Sequence, residues 1–105
     1  MDLSELQLVS PEAREMTEGG QVYIYLPALK LTSGCTPAQT DALLCLSQHS
    51  GYPTHLFLAQ PVVGRGQNWN VFRILDRQWH SWSWNHIRND RRPMEILAEH
   101  LRGLR

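Results

Sequence analysis

The side chains best suited to nucleophilic or acid–base chemistry are two cysteines and a polar group around a tryptophan-rich segment. Cys45 lies between Leu44 and Leu46 in an apolar run, which predicts a buried, inert thiol. Cys35 lies in a turn-rich segment and is predicted to be exposed. The polar group, in which histidine can act as a base and asparagine as an oxyanion donor, consists of His80, Ser83, Asn85 and His86. The sequence leaves open whether this group is catalytic or only bonds to backbone around packed tryptophans.

Neither a metal site nor a disulfide framework is predicted. Two cysteines are too few for a framework, and a reducing cytosol would oppose a single bridge between them. The histidines show no ligand spacing, because His49 and His55, like His80 and His86, lie six residues apart. That interval places neither pair on one helix turn or in a short knuckle. The sequence therefore predicts no metal and no cofactor.

The charges of the chain balance in number but not in position. Residues 1–63 carry six acids against two bases, and residues 64–105 carry eight arginines against four acids. A polarised surface can steer a charged partner, and the predicted contacts are Arg88, Arg91 and Arg92, although a solvated helix face gives the same pattern. Nucleic-acid binding is not favoured, because the net charge is zero and no nucleic-acid motif is present.

The length of 105 residues predicts one domain spanning 1–105, with residues 1–20 as an N-terminal extension or short helix. No apolar run approaches the length that spans a bilayer, and the first residues do not resemble a signal peptide. We therefore expect a cytoplasmic protein without membrane contact. The pattern makes no prediction of its oligomeric state.

Hydrophobic patterns predict a sheet followed by a helix. The predicted strands are 22–26, 40–46, 55–59 and 78–84, and 69–75 fits either a strand or a helix turn. Apolar residues at helical spacing predict a helix from about Arg92 to Arg102. Ser10 and Pro11 predict the start of a short helix over 11–17 that ends at two glycines. The predicted fold class is α+β, an antiparallel β-meander of about four strands with a C-terminal helix and a short N-terminal helix.

Several short motifs follow one another between about residues 20 and 104. They are Tyr25-Leu26-Pro27, Cys35-Thr36-Pro37, Thr40-Asp41-Ala42-Leu43-Leu44, Gly51-Tyr52-Pro53, Leu56-Phe57 and Trp79-His80-Ser81-Trp82-Ser83. In this order the chain resembles the prokaryotic ubiquitin-conjugating-enzyme-like superfamily, in the branch called prokaryotic family E. The resemblance implies a ubiquitin-conjugating-like fold and a place beside an activating enzyme, a ubiquitin-like protein and a metallopeptidase, often in antiphage defence.

The resemblance breaks down at the catalytic position. Conjugating enzymes carry the modifier on a cysteine that follows the third strand, whereas residues 62–92 contain no cysteine and no His-Pro-Asn triplet. The family also commonly has a histidine where this chain has Asn85, with His86 one position later. We therefore expect a non-thioester protein that binds a ubiquitin-like modifier or its activating enzyme. The alternatives are an active conjugating enzyme whose nucleophile is Cys35 or a histidine of the Trp-rich segment, and a structural protein that shares only the fold.

Overall fold

The computed structural model of the chain describes residues 2–49, 51–64, 69–82 and 87–104. Within these residues a six-stranded antiparallel sheet carries one α-helix on one face. The elements in chain order are a 3-10 helix Leu6–Leu8, strands β1 Arg14–Glu18, β2 Gln21–Lys30, β3 Gln39–Cys45, β4 His55–Leu58, β5 Trp69–Ile74 and β6 Arg77–Trp82, and helix α1 Pro93–Arg102.

The sheet curls until its two edges approach each other at one end. The strand order is β1-β2-β3-β4-β6-β5, so β6 lies between β4 and β5, and the edge strands are β1 and β5. The Leu75 backbone N–H, in the turn between β5 and β6, donates to the Glu18 carboxylate on β1 at 2.6 Å. One face of the sheet is therefore concave and is enclosed by the strands themselves.

Alternate residues of each strand point into two separate cores. The core under the helix includes Leu6, Leu26, Leu44, Leu58, Trp82 and Leu97. The core on the concave face consists of Tyr23, Leu43, Cys45, Phe57, Ile74 and Trp79. None of these six residues belongs to a helix, yet Phe57 and Trp79 are at most 1% exposed. The curl of the sheet therefore replaces a second covering layer.

Helix α1 begins where local chemistry favours a helix start. Pro93 occupies the first helical position, where its missing N–H costs no hydrogen bond. The Glu95 carboxylate accepts the Arg92 backbone N–H at 3.3 Å, which is the half of a capping box that a glutamate at this position provides. Leu97 is buried, as the apolar spacing of this segment predicts, and Ile96 beside it is buried as well.

His100 anchors α1 to the segment that precedes β4. Its Nε2 lies 2.8 Å from Thr54 Oγ1, and the same hydroxyl lies 2.8 Å from the Ile87 carbonyl oxygen. A hydroxyl has one proton, so Thr54 donates to Ile87 and accepts from His100 Nε2–H, which assigns the neutral tautomer of the ring. Burial lowers the pKa of His100 to about 4, so the ring stays neutral at pH 7.

The helix expected over 11–17 is wrong. Gly19 and Gly20 have positive φ values of 57° and 79°, and they form a two-residue hairpin turn rather than a helix end. The residues before them form β1, which pairs with β2. Ser10, the expected helix cap, instead donates from Oγ to the Pro27 carbonyl at 2.7 Å.

The expected four-strand α+β meander is also wrong. The expected strands at 22–26, 40–46, 55–59 and 78–84 overlap β2, β3, β4 and β6, and the expected C-terminal helix overlaps α1. Trp69–Ile74, however, is a full strand that pairs with Arg77–Trp82, and β1 adds a further edge. The sheet has six strands because β1 forms a hairpin with β2 and β5 forms one with β6, and the sequence pattern predicts neither hairpin. The ubiquitin-conjugating-like fold is therefore not its architecture.

Candidate functional site

Neither thiol is placed to act as a nucleophile. Cys45 is fully buried, as predicted, and its Sγ lies 2.9 Å from Gln21 Nε2. Cys35 is only 7% exposed, so the expectation of an exposed thiol is wrong. Its Sγ lies 3.2 Å from Thr32 Oγ1 and 4.0 Å from the Leu104 carbonyl oxygen, because the turn folds under the residues that follow α1. A thioester with another protein requires a thiol that reaches the surface.

Of the polar group around the Trp-rich segment, the structure describes only His80. His80 is half-buried on β6, where it pairs with Leu58 on one side and Val71 on the other. Ser83, Asn85 and His86 lie outside the described residues. Trp79 and Trp82 are 1% and 4% exposed, which supports a packing role for the aromatic part of this segment.

The arginines expected to contact a partner lie on the surface before α1. Arg88 forms an ion pair with Asp90, and Arg92 forms one with Glu95 at 3.0 Å. Arg91 is exposed beside them. Exposed pairs of this kind contribute only about 0–1 kcal/mol, so the arginines can leave them to contact a partner. The paired acids nevertheless reduce the positive potential of the patch.

A more organised group of side chains lies where the sheet curls back on itself. These residues come from β1, β2, β3, β6 and the β5–β6 turn, and we call them the seam site: Arg14, Met16, Tyr25, Asp41, Leu75, Arg77 and Trp79. Strand alternation brings the first of them together, because Arg14 pairs with Tyr25 and Met16 lies two residues further along β1. No sequence spacing links these residues, so the sequence alone does not predict this site.

Arg77 is the centre of the hydrogen-bond network at the seam site. Its Nη1 donates to the Tyr25 hydroxyl at 3.2 Å, and its Nη2 donates to Asp41 Oδ2 at 3.1 Å. The Tyr25 hydroxyl donates to the same carboxylate at 3.2 Å. Partial burial acts to raise the pKa of Asp41, but the hydrogen bonds from Ala28 N–H, Arg77 and Tyr25 outweigh it, and the pKa lies below its usual value. Asp41 is therefore ionised at neutral pH.

Two guanidinium groups and two aromatic rings stack at the seam site. Arg14 Cζ lies 4.8 Å from the centroid of the Tyr25 ring, and Arg77 Cζ lies 4.6 Å from the centroid of the Trp79 ring. The two rings meet edge to face, with centroids 6.3 Å apart and planes at 81°. Both distances fall within the range of cation–π attraction. The rings therefore favour these positions of the two cations, by about 0.5–1 kcal/mol each at exposed sites.

Strained backbone surrounds the same site. In the described part of the chain, the non-glycine residues with positive φ are Ala28 at 52°, Leu75 at 55° and Asp76 at 61°. Asp41 Oδ1 accepts the Ala28 N–H at 2.9 Å, and Glu18 accepts the Leu75 N–H. Such conformations cost about 1–2 kcal/mol each for most residues, and they concentrate at functional sites.

The seam site borders a small cleft. Its volume is about 120 Å³, and its walls are Met16, Tyr25, Leu75, Arg77 and Trp79. Pockets for cofactors and drug-sized ligands measure about 300–1,000 Å³, so this cleft is too small for them. Its size suits one protein side chain, of the kind that anchors a protein interface.

A larger cleft lies on the helix face of the sheet. It measures about 280 Å³ and is lined by Val22, Ile24, Leu46 and Ser47. Among these residues only the Ser47 side chain is polar, so the described walls offer neither a charge nor an acid–base group. This cleft gives no indication of which molecule would occupy it.

Two histidines lie among aromatic rings at the other end of the concave face. His49 Nε2 lies 3.1 Å from the Tyr23 hydroxyl, and the His55 ring stacks on Phe57 with centroids 4.5 Å apart. Burial lowers the pKa of both histidines. Within the described ranges, no three His, Cys, Asp or Glu side chains are grouped to hold a metal ion. The arrangement is consistent with aromatic packing.

Comparisons of the chain with protein-family models, curated proteins and solved structures found no match. Among the described residues, no helix has the length and apolar character needed to cross a membrane. The seam site is therefore interpreted from its own chemistry.

Proposed function

We propose that this chain is a non-catalytic protein-binding module and that its partner inserts one side chain at the seam site. The observation that carries this proposal is the cleft of about 120 Å³ framed by Tyr25, Arg77 and Trp79. Tyrosine, tryptophan and arginine are the residue types that most often dominate the energy of protein interfaces. Their positions here are fixed before any partner arrives, so little side-chain entropy is lost on binding.

The burial of both thiols argues against the rival proposal of an active conjugating enzyme. Acyl transfer through Cys35 would require its Sγ to leave its contacts with Thr32 and Leu104. Nucleophilic catalysis by histidine would require a base or an orienting group beside the ring. His80 is the member of that group which the structure describes, and it is half-buried within β6.

The identity of the partner is a separate part of the proposal. The resemblance carried by the sequence motifs implies a ubiquitin-like protein or its activating enzyme in a prokaryotic pathway, of the kind often found in antiphage defence. The six-strand architecture does not support the conjugating fold, so this prediction depends on the motifs alone. The seam site itself indicates only a protein partner with an exposed anchor side chain.

Titration of the ¹⁵N-labelled chain with a purified ubiquitin-like protein and, separately, with an activating enzyme from the same genome tests both parts. We expect the largest amide shifts at Met16, Leu75 and Arg77. Met16→Glu places a third acid near Glu18 and Asp41 in an apolar wall, and it should weaken binding by about tenfold or more, which corresponds to roughly 1.4 kcal/mol. Arg102→Ala, on the exposed side of α1, is the matched control and should bind like the parent.

The outcome at the arginine patch distinguishes the two candidate surfaces. If the shifts instead cluster at Arg88, Arg91 and Arg92, and a triple alanine variant slows association and flattens its salt dependence, the partner contacts that patch and the seam site does not bind it. If neither protein perturbs any amide, the prediction of a ubiquitin-like partner or activating enzyme is wrong.

A further inference from the structure

We infer that the seam site recognises a carboxylate on an extended segment of the partner, with the apolar stem of the same residue in the cleft. This inference rests on the proposed function, because it assigns a ligand chemistry to the surface proposed there. It depends on the exposed and unpaired guanidinium of Arg14, on the shape of its donors and on the apolar walls of the cleft.

Three of the four charged groups at this end of the sheet already have partners. Arg77 and Asp41 form an ion pair at 3.1 Å, and Glu18 accepts the Leu75 N–H at 2.6 Å. Arg14 differs, because within the described ranges no carboxylate forms an ion pair with it. Its guanidinium lies over the Tyr25 ring and is exposed to solvent on its other side. Arg14 is therefore the charged side chain of the site whose donors have no carboxylate partner.

The geometry of a guanidinium favours a carboxylate over other anchors. Arginine presents five N–H donors in a planar fork that matches the two oxygens of a carboxylate. A cationic anchor has no acceptor for the N–H donors of Arg14, and a neutral polar anchor would leave the charge of Arg14 unpaired. The aromatic ring beneath Arg14 holds the fork in place, which reduces the entropy lost when a ligand binds.

The walls of the cleft indicate that the carboxylate is carried on an apolar stem. Met16, Leu75 and Trp79 supply apolar surface, whereas the polar atoms of Tyr25 and Arg77 are engaged in hydrogen bonds with Asp41 and with each other. A cleft of about 120 Å³ is large enough for water molecules to enter it. Their release by a short methylene or branched stem favours binding.

Two kinds of residue carry such a group: an internal glutamate or aspartate, and a C-terminal residue with its free carboxylate. Three synthetic peptides distinguish them. The first is blocked at both ends and contains one internal glutamate after a leucine. The second has glutamine in place of glutamate and ends in a leucine with a free carboxylate. The third has glutamine and an amidated C-terminus, so it carries no charge.

Each peptide is titrated into the ¹⁵N-labelled full chain, and the backbone amides and arginine Nε–H groups are followed. We expect at least one of the two acidic peptides to shift Arg14 Nε–H and the Met16 and Leu75 amides. We expect the neutral peptide to bind about two- to fivefold more weakly, the factor given by loss of one exposed charge pair. The peptide that binds more tightly identifies the source of the carboxylate.

Arg14→Gln is the decisive variant, because the side chain is exposed and its loss leaves the core intact. It should reduce binding of the acidic peptides to the level of the neutral one, whereas Arg102→Gln removes the same charge from α1 and should leave binding unchanged. If the neutral peptide shifts the same amides with the same affinity, the carboxylate inference is overturned and the seam site remains an apolar anchor site. If no peptide perturbs the seam site but the protein partner does, the carboxylate inference is overturned and the proposed function stands. If neither peptide nor protein perturbs it, the proposed function fails as well.

Discussion

Acid should weaken this fold chiefly through His100. The ring is 5% exposed, is neutral at pH 7 and connects α1 to Thr54 and Ile87. Burial lowers its pKa to about 4, whereas a histidine in an unfolded chain has a pKa of about 6.5. The unfolded chain therefore takes up a proton that the folded chain excludes, so acid favours unfolding.

The size of the effect follows from the difference between the two pKa values. Each unit corresponds to about 1.4 kcal/mol, so a folded value of about 4 implies a loss of about 3 kcal/mol. The contribution is fully present above pH 6.5, declines as the pH falls from 6.5 towards 4, and changes no further below that. A domain of this size has about 5–15 kcal/mol of stability, so the loss is a large share of the total.

Urea unfolding at pH 7.5, 5 and 4, followed by tryptophan fluorescence, measures this effect. His49 and His55 also have pKa values lowered by burial, so the parent curve contains their contribution with the same sign. His100→Gln removes only the His100 contribution. The variant should be less stable at pH 7.5, and the gap to the parent should narrow by about 3 kcal/mol at pH 4.

Thr54→Val is the matched control, because it removes the hydroxyl that bonds to His100 but keeps the titrating ring. It should lower the stability by about 1–3 kcal/mol at neutral pH, because it leaves a buried donor unsatisfied, and it should keep the acid sensitivity. A gap between His100→Gln and the parent that stays constant from pH 7.5 to 4 would refute the argument. So would an NMR titration that places the pKa of folded His100 near 6.5.

Two further predictions concern local features. Ala28→Gly should raise the stability by about 0.5–1 kcal/mol in the same urea assay, because Ala28 is exposed at a φ of 52°. Ala98→Gly, on the exposed face of α1, is the control and should lower the stability by a similar amount. Equal destabilisation by both changes would contradict the assigned backbone. Cys35 and Cys45 should react with iodoacetamide many times more slowly in the native chain than in urea, and no thiol-sensitive adduct should form with an activated ubiquitin-like modifier. Rapid native labelling of Cys35 would restore the conjugating-enzyme alternative.

The strands that the sequence predicts correctly are those with a continuous apolar signal. β3 and β4 are buried on both faces, so their runs of apolar residues stand out without any knowledge of the fold. β1 has no such run, because it is an edge strand whose residues are mostly exposed and polar. Its two glycines gave the correct position of a chain reversal but not its type, since a glycine pair ends helices and turns hairpins alike.

The hairpin of β5 and β6 was hidden for a different reason. Its turn consists of Leu75 and Asp76, and both residues have positive φ although neither is a glycine. Turn prediction relies on glycine and asparagine at such positions, so Asp76, which tolerates the left-handed region, gives only a weak signal for the reversal. The surrounding structure imposes the turn instead, through the packing of Leu75 in the concave core and the bond from its N–H to Glu18.

The candidate site was missed for the same physical reason as the hairpin. Its charged residues are Arg14, Asp41 and Arg77, which lie on three strands and come together only because the sheet curls. A curled sheet without a covering layer needs contacts between its ends, and the Arg77–Asp41 pair and the Glu18–Leu75 bond supply them. These contacts therefore stabilise the curled sheet, and no binding role is needed to explain them. Arg14 has no such role, since its guanidinium joins no other strand through an ion pair in the described residues and lies exposed over a ring. Whether the seam site binds a partner, rather than only stabilising the curled sheet, therefore depends on Arg14, the charged side chain of the site that forms no ion pair between strands in the described residues.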